Sequence, residues 1–319
     1  MKLIFCGTPQ FAVPTLDALI RAGHEIALVV SQPDRPVGRK ATLTAPPVKL
    51  LALAHMLPIA QPEKIKSNAE FRAQLEAIAP DAIIVVAYGR IVPDWMLALP
   101  KYGNINCHAS LLPKYRGAAP IQWAIANGEP HTGVTTMRID SGLDTGDMLL
   151  QHKCVIAPEE TAVDLFETLA ECGADLMVET LAQLERGTIT PIPQNHAEAT
   201  LAPILTREDA LINFFKPATH IHDRWRGFQP WPGAYTYFRG KKLIVNRCSV
   251  AHTSNHHTPG TIIIDTNKIS VQCGDGTLLT LDELQLEGRN RMPAADLFHG
   301  FQLEENERLG IAPHTQAHP

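Results

Sequence analysis

Apolar positions in the first 150 residues come in short runs that alternate with helical stretches. "KLIF" at 2–5 predicts a strand, and "FAVPTLDALIRAGH" at 11–24 an amphipathic helix whose end suits Gly23. "EIALVVS" at 25–31 predicts a second strand and "AEFRAQLEAIAP" at 69–80 a second helix. "DAIIVVAYG" at 81–89 and "GNINCHAS" at 103–110 predict two further strands. Strands that are apolar without alternation are buried on both faces. This order therefore predicts an α/β domain with a mostly parallel sheet covered on both sides. Ligands of such sheets bind beyond the carboxyl ends of the strands.

Two stretches interrupt the pattern. "PDRPVGRKATLTAPP" at 33–47, ahead of a helix starting near Val48, is too long and too rich in proline and glycine for an ordinary connection. It carries Arg35, Arg39 and Lys40 and reads as a functional loop. "GTITPIPQNHAEATLAPI" at 187–204 is polar and proline-spotted, the composition of a linker. After a helix expected at "EDALINFFK" (208–216) come short β-rich pieces separated by turns: "AYTYF", "KKLIVNRCSV", "GTIIIDTN", "KISVQCGD" and "TLLTLDELQLEG". Their spacing predicts a small β-barrel of the oligonucleotide-binding type. The expected division is a first domain at 1–189, a linker at 190–207 and a second domain at 208–319, of which 311–319 is a loose tail.

Composition narrows the class. With 45% hydrophobic and 19% charged residues the chain reads as soluble and globular. Runs such as "IIVVA" at 83–87 are strand-sized, so no membrane span is expected, and "MKLIFCGTPQF" is no secretory signal. Six scattered cysteines without a CxxC pair suit reduced thiols in the cytoplasm and indicate neither disulfides nor a metal site. His252, His256 and His257 read as a solvated turn rather than metal ligands. Within the net charge of −5, residues 201–250 hold eight Lys or Arg against three acids, a local +5 that leaves −10 for the rest. Such a segment is an electrostatic footprint for a polyanion, or simply a solvated face.

The candidate chemistry sits at the end of the "NINCH" run. Residues i and i+2 of a strand face the same way, so Asn106 and His108 point together and Cys107 points away. A carboxamide beside an imidazole suits a carbonyl carbon that becomes tetrahedral and gathers charge on its oxygen. "TGVTTMRIDSGLDTGDMLL" at 132–150 reads as a strand followed by a loop that presents Asp140, Asp144 and Asp147. If that strand lies beside the first, Asp144 reaches His108 and stabilises its protonated ring, while Asp140 and Asp147 read as turn residues.

"GTPQFAVPTLDAL", "SQPDRPVGRK", "NINCHASLLPKYRGAAPIQWAI", "TGVTTMRIDSGLDTGDML" and "FQPWPGAYT" together resemble the methionyl-tRNA formyltransferase family, and the resemblance runs through nearly the whole chain. It implies a Rossmann-like catalytic domain, a C-terminal tRNA-binding barrel and transfer of a formyl group from 10-formyltetrahydrofolate to the amine of methionyl initiator tRNA. It also implies that Asn106, His108 and Asp144 are catalytic. Ser110, Leu111, Leu112 and Pro113, with Tyr88 and Gly89, would contact the folate. Arg39 would meet the acceptor end of the tRNA, with Arg35 and Lys40 adding phosphate attraction. No metal is implied, and the expected form is a cytoplasmic monomer.

The chain departs from the family's pattern at Cys107 (usually Leu), at Trp123 (usually Arg), and in the linker at Ile204 and Asn213. Three rivals remain. A formyltransferase acting on a small amine, such as an amino sugar nucleotide, would share the same three residues but would not need the basic loop. A Rossmann oxidoreductase would need a G-x-G-x-x-G that "FCGTPQF" lacks. A non-catalytic RNA-binding protein would leave the Asn–His–Asp set without a purpose.

Overall fold

Strand β1 (Lys2–Gly7) owes its unbroken apolar run to burial on both sides, for Leu3, Ile4, Phe5 and Cys6 are all fully covered. The structure, a computed structural model, describes residues 1–38, 41–251 and 256–310. It divides into two units: 1–120, 131–155 and 164–203 form the first, and 121–130, 156–163 and the chain from 204 onward form the second.

In the first unit β1 leads through helix α1 (Val13–Arg21), which ends at Ala22 with Gly23 at φ 80°, into β2 (Glu25–Val30). The stretch expected to be an irregular loop contains a hairpin, β3 (Arg35–Val37) paired antiparallel with β4 (Thr42–Thr44). Three-residue strands with a proline in one and threonines in the other carry too little pattern to read. Helix α2 (Pro47–Ala54), β5 (Ile59–Ala60), α3 (Ala69–Ile78), β6 (Ala82–Val86), α4 (Asp94–Leu97) and β7 (Asn104–His108) follow. Asn68 caps α3 by accepting from the Phe71 N–H at 3.0 Å. After α5 (Pro120–Ala126), which beyond Pro120 belongs to the second unit, come β8 (His131–Arg138), β9 (Met148–Val155) and α6 (Ala162–Arg186).

The sheet runs β5-β2-β1-β6-β7-β8-β9. Pairing is parallel from β5 through β7 and antiparallel for β7–β8 and β8–β9. It is mostly parallel, as its apolar strands imply, with an antiparallel edge. One face buries Ile4, Cys6, Leu28, Val30, Ile83 and Val85 under Phe71 and Leu75 of α3 and Met96 of α4. Leu16 and Leu19 of α1 are also fully buried, and Phe11 packs edge-on against Phe166 of α6 with ring centroids 5.0 Å apart. Residues 190–203 of the expected linker belong to this unit. Met148 bridges to Ile192 and Arg116 to Leu201, so the polar segment closes over the sheet's end as a strap held by backbone hydrogen bonds.

Gly133 on β8 admits no side chain. A Cβ there would lie 2.1 Å from the His152 carbonyl oxygen of β9 and 2.7 Å from Leu111. Gly133→Ala must therefore part the β8–β9 pair, at a cost of about 3 kcal/mol, the upper range of overpacking penalties. A urea melt of the variant shows a clearly lower midpoint; an unchanged midpoint would contradict this packing.

The second unit is an antiparallel half-barrel on which helices pack. Helix α7 (Ala218–Gly227) precedes β10 (Tyr235–Phe238), β11 (Lys241–Ala251), β12 (Ile262–Asp265), β13 (Lys268–Gln272), β14 (Leu278–Leu286), β15 (Met292–Pro293) and α8 (Ala294–His299). Their order is β10-β11-β14-β13-β12, with β15 on β14. Register shifts on either side of Arg247 bend β11. Leu243, Val245, Val271, Leu279, Leu281 and Leu284 form the core with Ile221 of α7 and Leu297 and Phe298 of α8.

The helix expected at 208–216 is not there. Glu208–Ala210 make one 3-10 turn, with Asp209 accepting from the Thr206 N–H at 2.8 Å. Leu211 then bridges to Tyr235, Phe214 enters the core, and Asn213 accepts from the Phe215 N–H at 3.0 Å. The true helix starts one proline later, in the His- and Arg-rich "ATHIHDRWRG". It takes two cations out of the basic window. Arg226 is buried, donating to the Glu160 carbonyl at 2.7 Å and to Asp223 at 2.5 Å. Arg224 is half-buried and donates to the Asp209 carbonyl at 2.9 Å. The other six cations of that window are exposed. Among the described residues no helix is long and apolar enough to cross a membrane.

Candidate active site

β7 is where the sheet changes sense. Val85 of parallel β6 pairs with Asn106 on one side, and on the other antiparallel β8 sets Met137 against Asn106 and Thr135 against His108. The ends of β1, β6 and β7 therefore open together with Asn106 and His108 on one face. Asn104, one step earlier on that face, shows what a structural asparagine does here: it is buried and donates to the Met96 and Leu97 carbonyls at 2.9 and 3.2 Å. The half-buried Asn106 carboxamide, by contrast, makes no hydrogen bond with another described residue. It offers a fixed donor at the mouth of the sheet.

His108 is buried, and both ring nitrogens are placed. Nε2 lies 2.8 Å from the Tyr115 carbonyl oxygen, and Nδ1 lies 3.7 Å from Oδ2 of Asp144. A carbonyl only accepts, so Nε2 carries the hydrogen of the neutral ring and Nδ1 is the accepting nitrogen. That nitrogen faces the Asp144 carboxylate.

Asp144 is aimed by its backbone and its neighbours. It sits in the left-handed region at φ 50°, and its Oδ2 accepts from the Gly117 N–H at 2.9 Å. Gly117 has φ 119°, and a Cβ on it would lie 2.7 Å from the Ala202 carbonyl oxygen, so only glycine fits between the loop and the strap. Gln194 of the strap donates to the carbonyls of Asp144 and Gly146 at 2.9 and 2.8 Å. Its own oxygen accepts from Nε and Nη2 of the buried Arg116 at 3.0 and 2.7 Å. Asp140 bonds inside its own turn, accepting from the Gly142 N–H and the Thr145 hydroxyl.

The other residues singled out in the sequence fall around this centre in different ways. The Ser110 hydroxyl is fully buried and donates to the Lys114 carbonyl at 2.6 Å, which makes it a loop brace and no nucleophile. Thr135 ties the same turn, donating to the Ser110 carbonyl and accepting from the Leu112 N–H. Leu112 is buried, while Leu111 and Pro113 are half-exposed. Tyr88 follows β6 with its ring in the core and its hydroxyl pushed well above the ordinary range by burial. Its carbonyl accepts from Gln32 at 3.1 Å and Thr8 at 3.2 Å, and Gly89 follows at φ 78°.

Arg35 is exposed on the hairpin, 3.6 Å from Glu63. The hairpin's base is anchored by Asp34, whose carboxyl is held below its usual range by hydrogen bonds from Lys49 and Gln61. Arg39 and Lys40 lie outside the described residues, as does His252. His256 and His257 are exposed.

Sequence reasoning missed Tyr115, Arg116, Gly117, Thr135 and Gln194. Two of them act through backbone groups and leave no side-chain signature. Arg116 was visible as a charge next to Gly117, but Gln194 lies 78 residues from the arginine it holds.

Profiles of known families match both parts of the chain: Formyl transferase over residues 1–181 and Formyl transferase, C-terminal domain, over 204–302. A methionyl-tRNA formyltransferase of Acidobacterium capsulatum is 64% identical over 310 residues, covering 97% of this chain and 100% of the relative. One from Koribacter versatilis is 60% identical, covering 97% and 99%.

The chain belongs to the methionyl-tRNA formyltransferase family.

Among solved structures, an N-formyltransferase from Helicobacter canadensis in complex with folinic acid and dTDP-3-aminofucose shares the fold with a TM-score of 0.65 at 20% identity, covering 88% of this chain and 98% of that one. At that identity the likeness speaks for the fold alone. Of the chain's four departures from the family's pattern, Cys107 and Trp123 are packed. Cys107 is buried on the face opposite Asn106, its thiol pushed up to about 12 by burial. Trp123 packs edge-on against Phe228 at 5.4 Å and lies 5.6 Å from the Arg224 guanidinium. Ile204 stands exposed, and Asn213 makes the turn before α7.

Proposed function

We propose that the chain transfers the formyl group of 10-formyltetrahydrofolate to the amino group of methionyl initiator tRNA, yielding formylmethionyl-tRNA for translation initiation. The observation that carries this reading is the agreement, in a chain 64% identical to a methionyl-tRNA formyltransferase, between the family's reaction and the set Asn106–His108–Asp144. The donor supplies an activated formyl carbon, and its amide-like resonance is the barrier. Asn106 donates to the formyl oxygen as negative charge gathers there, the electrostatic effect that dominates acyl transfer. His108, its Nε2–H fixed on Tyr115, takes the proton of the attacking amine at Nδ1 and returns it to the leaving folate nitrogen. Asp144 stabilises the ring while it is charged. An α-amine titrates near pH ~8, so a strong base is not required.

Tyr88, Gly89 and residues 110–113 line the folate side in this proposal. Arg35, with Arg39 and Lys40 of the sequence 33–47, meets the acceptor end of the tRNA, and the exposed cations of 201–250 hold its backbone. The chain works as a cytoplasmic monomer, and the formyl transfer itself uses no metal. Supplied with donor and methionyl initiator tRNA, it releases formylmethionine after alkaline hydrolysis of the ester; absence of that product would overturn the proposal. Arg39→Ala raises KM for initiator tRNA about tenfold while leaving KM for the donor unchanged, the loss expected for one charged contact of about 1.4 kcal/mol. Steady-state kinetics in both substrates checks this, and unchanged KM for the tRNA would reject the role given to Arg39.

A further inference from the structure

The described cysteines are all thiols, and four of them (Cys6, Cys107, Cys248 and Cys273) are buried. The other two meet. On the edge strand β9, His152 and Cys154 are i and i+2 and face the same way, toward Cys172 on α6. A ring nitrogen of His152 and the two sulfurs all lie within 4.8 Å of one another, and Cys154 Sγ is 3.8 Å from Cys172 Sγ. Tetrahedral zinc with Zn–S bonds of ~2.3 Å separates two of its sulfur ligands by about 3.8 Å. The sulfurs already stand at that spacing. Sequence spacing hides the set, because Cys172 lies 18 residues from Cys154.

We infer that His152, Cys154 and Cys172 form a binding site for a borderline-soft divalent cation of the zinc class, with solvent in the fourth position. Two thiolates and one neutral imidazole balance the charge of the ion, and this donor set selects zinc over magnesium or calcium. Both thiols release their protons on binding, so affinity rises with pH. His152 is exposed and Cys154 and Cys172 are half-exposed, which gives the ion a path in. The bound ion would tie the free edge of the sheet to its covering helix. Nothing in the formyl transfer uses it. The site departs from the expectation, drawn from spacing alone, that no metal site is present.

The test uses the untagged full chain, reduced and freed of metal by chelator, titrated with Co²⁺ alone. The expected result is one equivalent bound with a thiolate-to-cobalt charge-transfer absorption, displaced by Zn²⁺. Cys154→Ser and Cys172→Ser each abolish the thiolate absorption, and His152→Ala weakens binding at least tenfold. Formyl transfer by the variants stays within twofold of the parent. Absence of the charge-transfer band, or its persistence in both serine variants, overturns the site; the latter would assign the ion to other thiols. A second readout avoids variants altogether. Zn²⁺ slows alkylation of Cys154 and Cys172 in the parent at least tenfold by peptide mass spectrometry, and an unchanged rate overturns the inference.

Discussion

His108→Ala lowers kcat for formyl transfer by about 10²-fold or more, with donor binding largely kept, and Asn106→Ala does the same. Both follow from where the groups stand. Asn106 presents an amide that no described neighbour engages, and His108 presents Nδ1 toward Asp144 while Tyr115 holds the opposite nitrogen. Asn106 bonds to no described neighbour, so its variant keeps the parental thermal midpoint; His108→Ala also loses the buried Nε2–H bond to the Tyr115 carbonyl and melts somewhat lower while remaining folded. Loss of the oxyanion donor removes stabilisation that exists only in the transition state, which depresses kcat and kcat/KM together. Rapid-quench single-turnover measurement at saturating donor isolates the chemical step. A near-parental rate in either variant removes that residue from the mechanism.

The second large effect lies outside the reacting groups. Gln194→Leu leaves the Asp144 and Gly146 carbonyls without their donor and takes from the buried Arg116 guanidinium the oxygen that Nε and Nη2 share, with His196 Nδ1 still 3.2 Å from Nη2. Each unsatisfied buried group costs roughly 1–3 kcal/mol, so the first unit loses about 3 kcal/mol or more. Because the same bonds aim the loop that carries Asp144, kcat falls about tenfold as well, at temperatures where the variant is still folded. Gln194→Glu preserves an acceptor for Arg116 but not the donor to Asp144. It therefore recovers stability better than turnover. Urea unfolding and kcat measured on both variants check this; a leucine variant with parental stability and rate would show the strap to be a passive cover.

Much of this was legible in the sequence because of periodicity. A strand buried on both faces reads as a continuous apolar run, and β1, β2, β6 and β7 are found where such runs lie. Asn106 and His108 could be paired because a strand repeats every two residues. The choice of Asp144 over Asp140 and Asp147 depended on two strands being neighbours, and β7 and β8 are.

What stayed hidden was held by contacts distant in sequence or by the backbone. The Tyr115 carbonyl and the Gly117 N–H carry no letter of their own. Gln194 read as part of a linker because its neighbours are prolines and polar residues, yet backbone bridges from Ile192 and Leu201 fold that stretch onto the first unit. At 208–216 the apolar residues Leu211, Ile212 and Phe214 suggested a helix, while Asn213 and Pro217 turn the chain there instead. The helix that follows was missed because its inner face includes His222 and Arg226, polar residues buried beside Ile221. The same Arg226 shows why net charge overstated the basic surface.

The most direct test of the central claim is a competition for formyl groups in one vessel, with methionyl initiator tRNA, methionyl elongator tRNA and an amino sugar nucleotide at equal concentration and 10-formyltetrahydrofolate as donor. The account predicts formyl label on initiator tRNA at least a hundredfold above either competitor, and loss of that label with His108→Ala. Label on the amino sugar nucleotide alone would contradict it, leaving the chemistry of Asn106, His108 and Asp144 but removing tRNA as the acceptor.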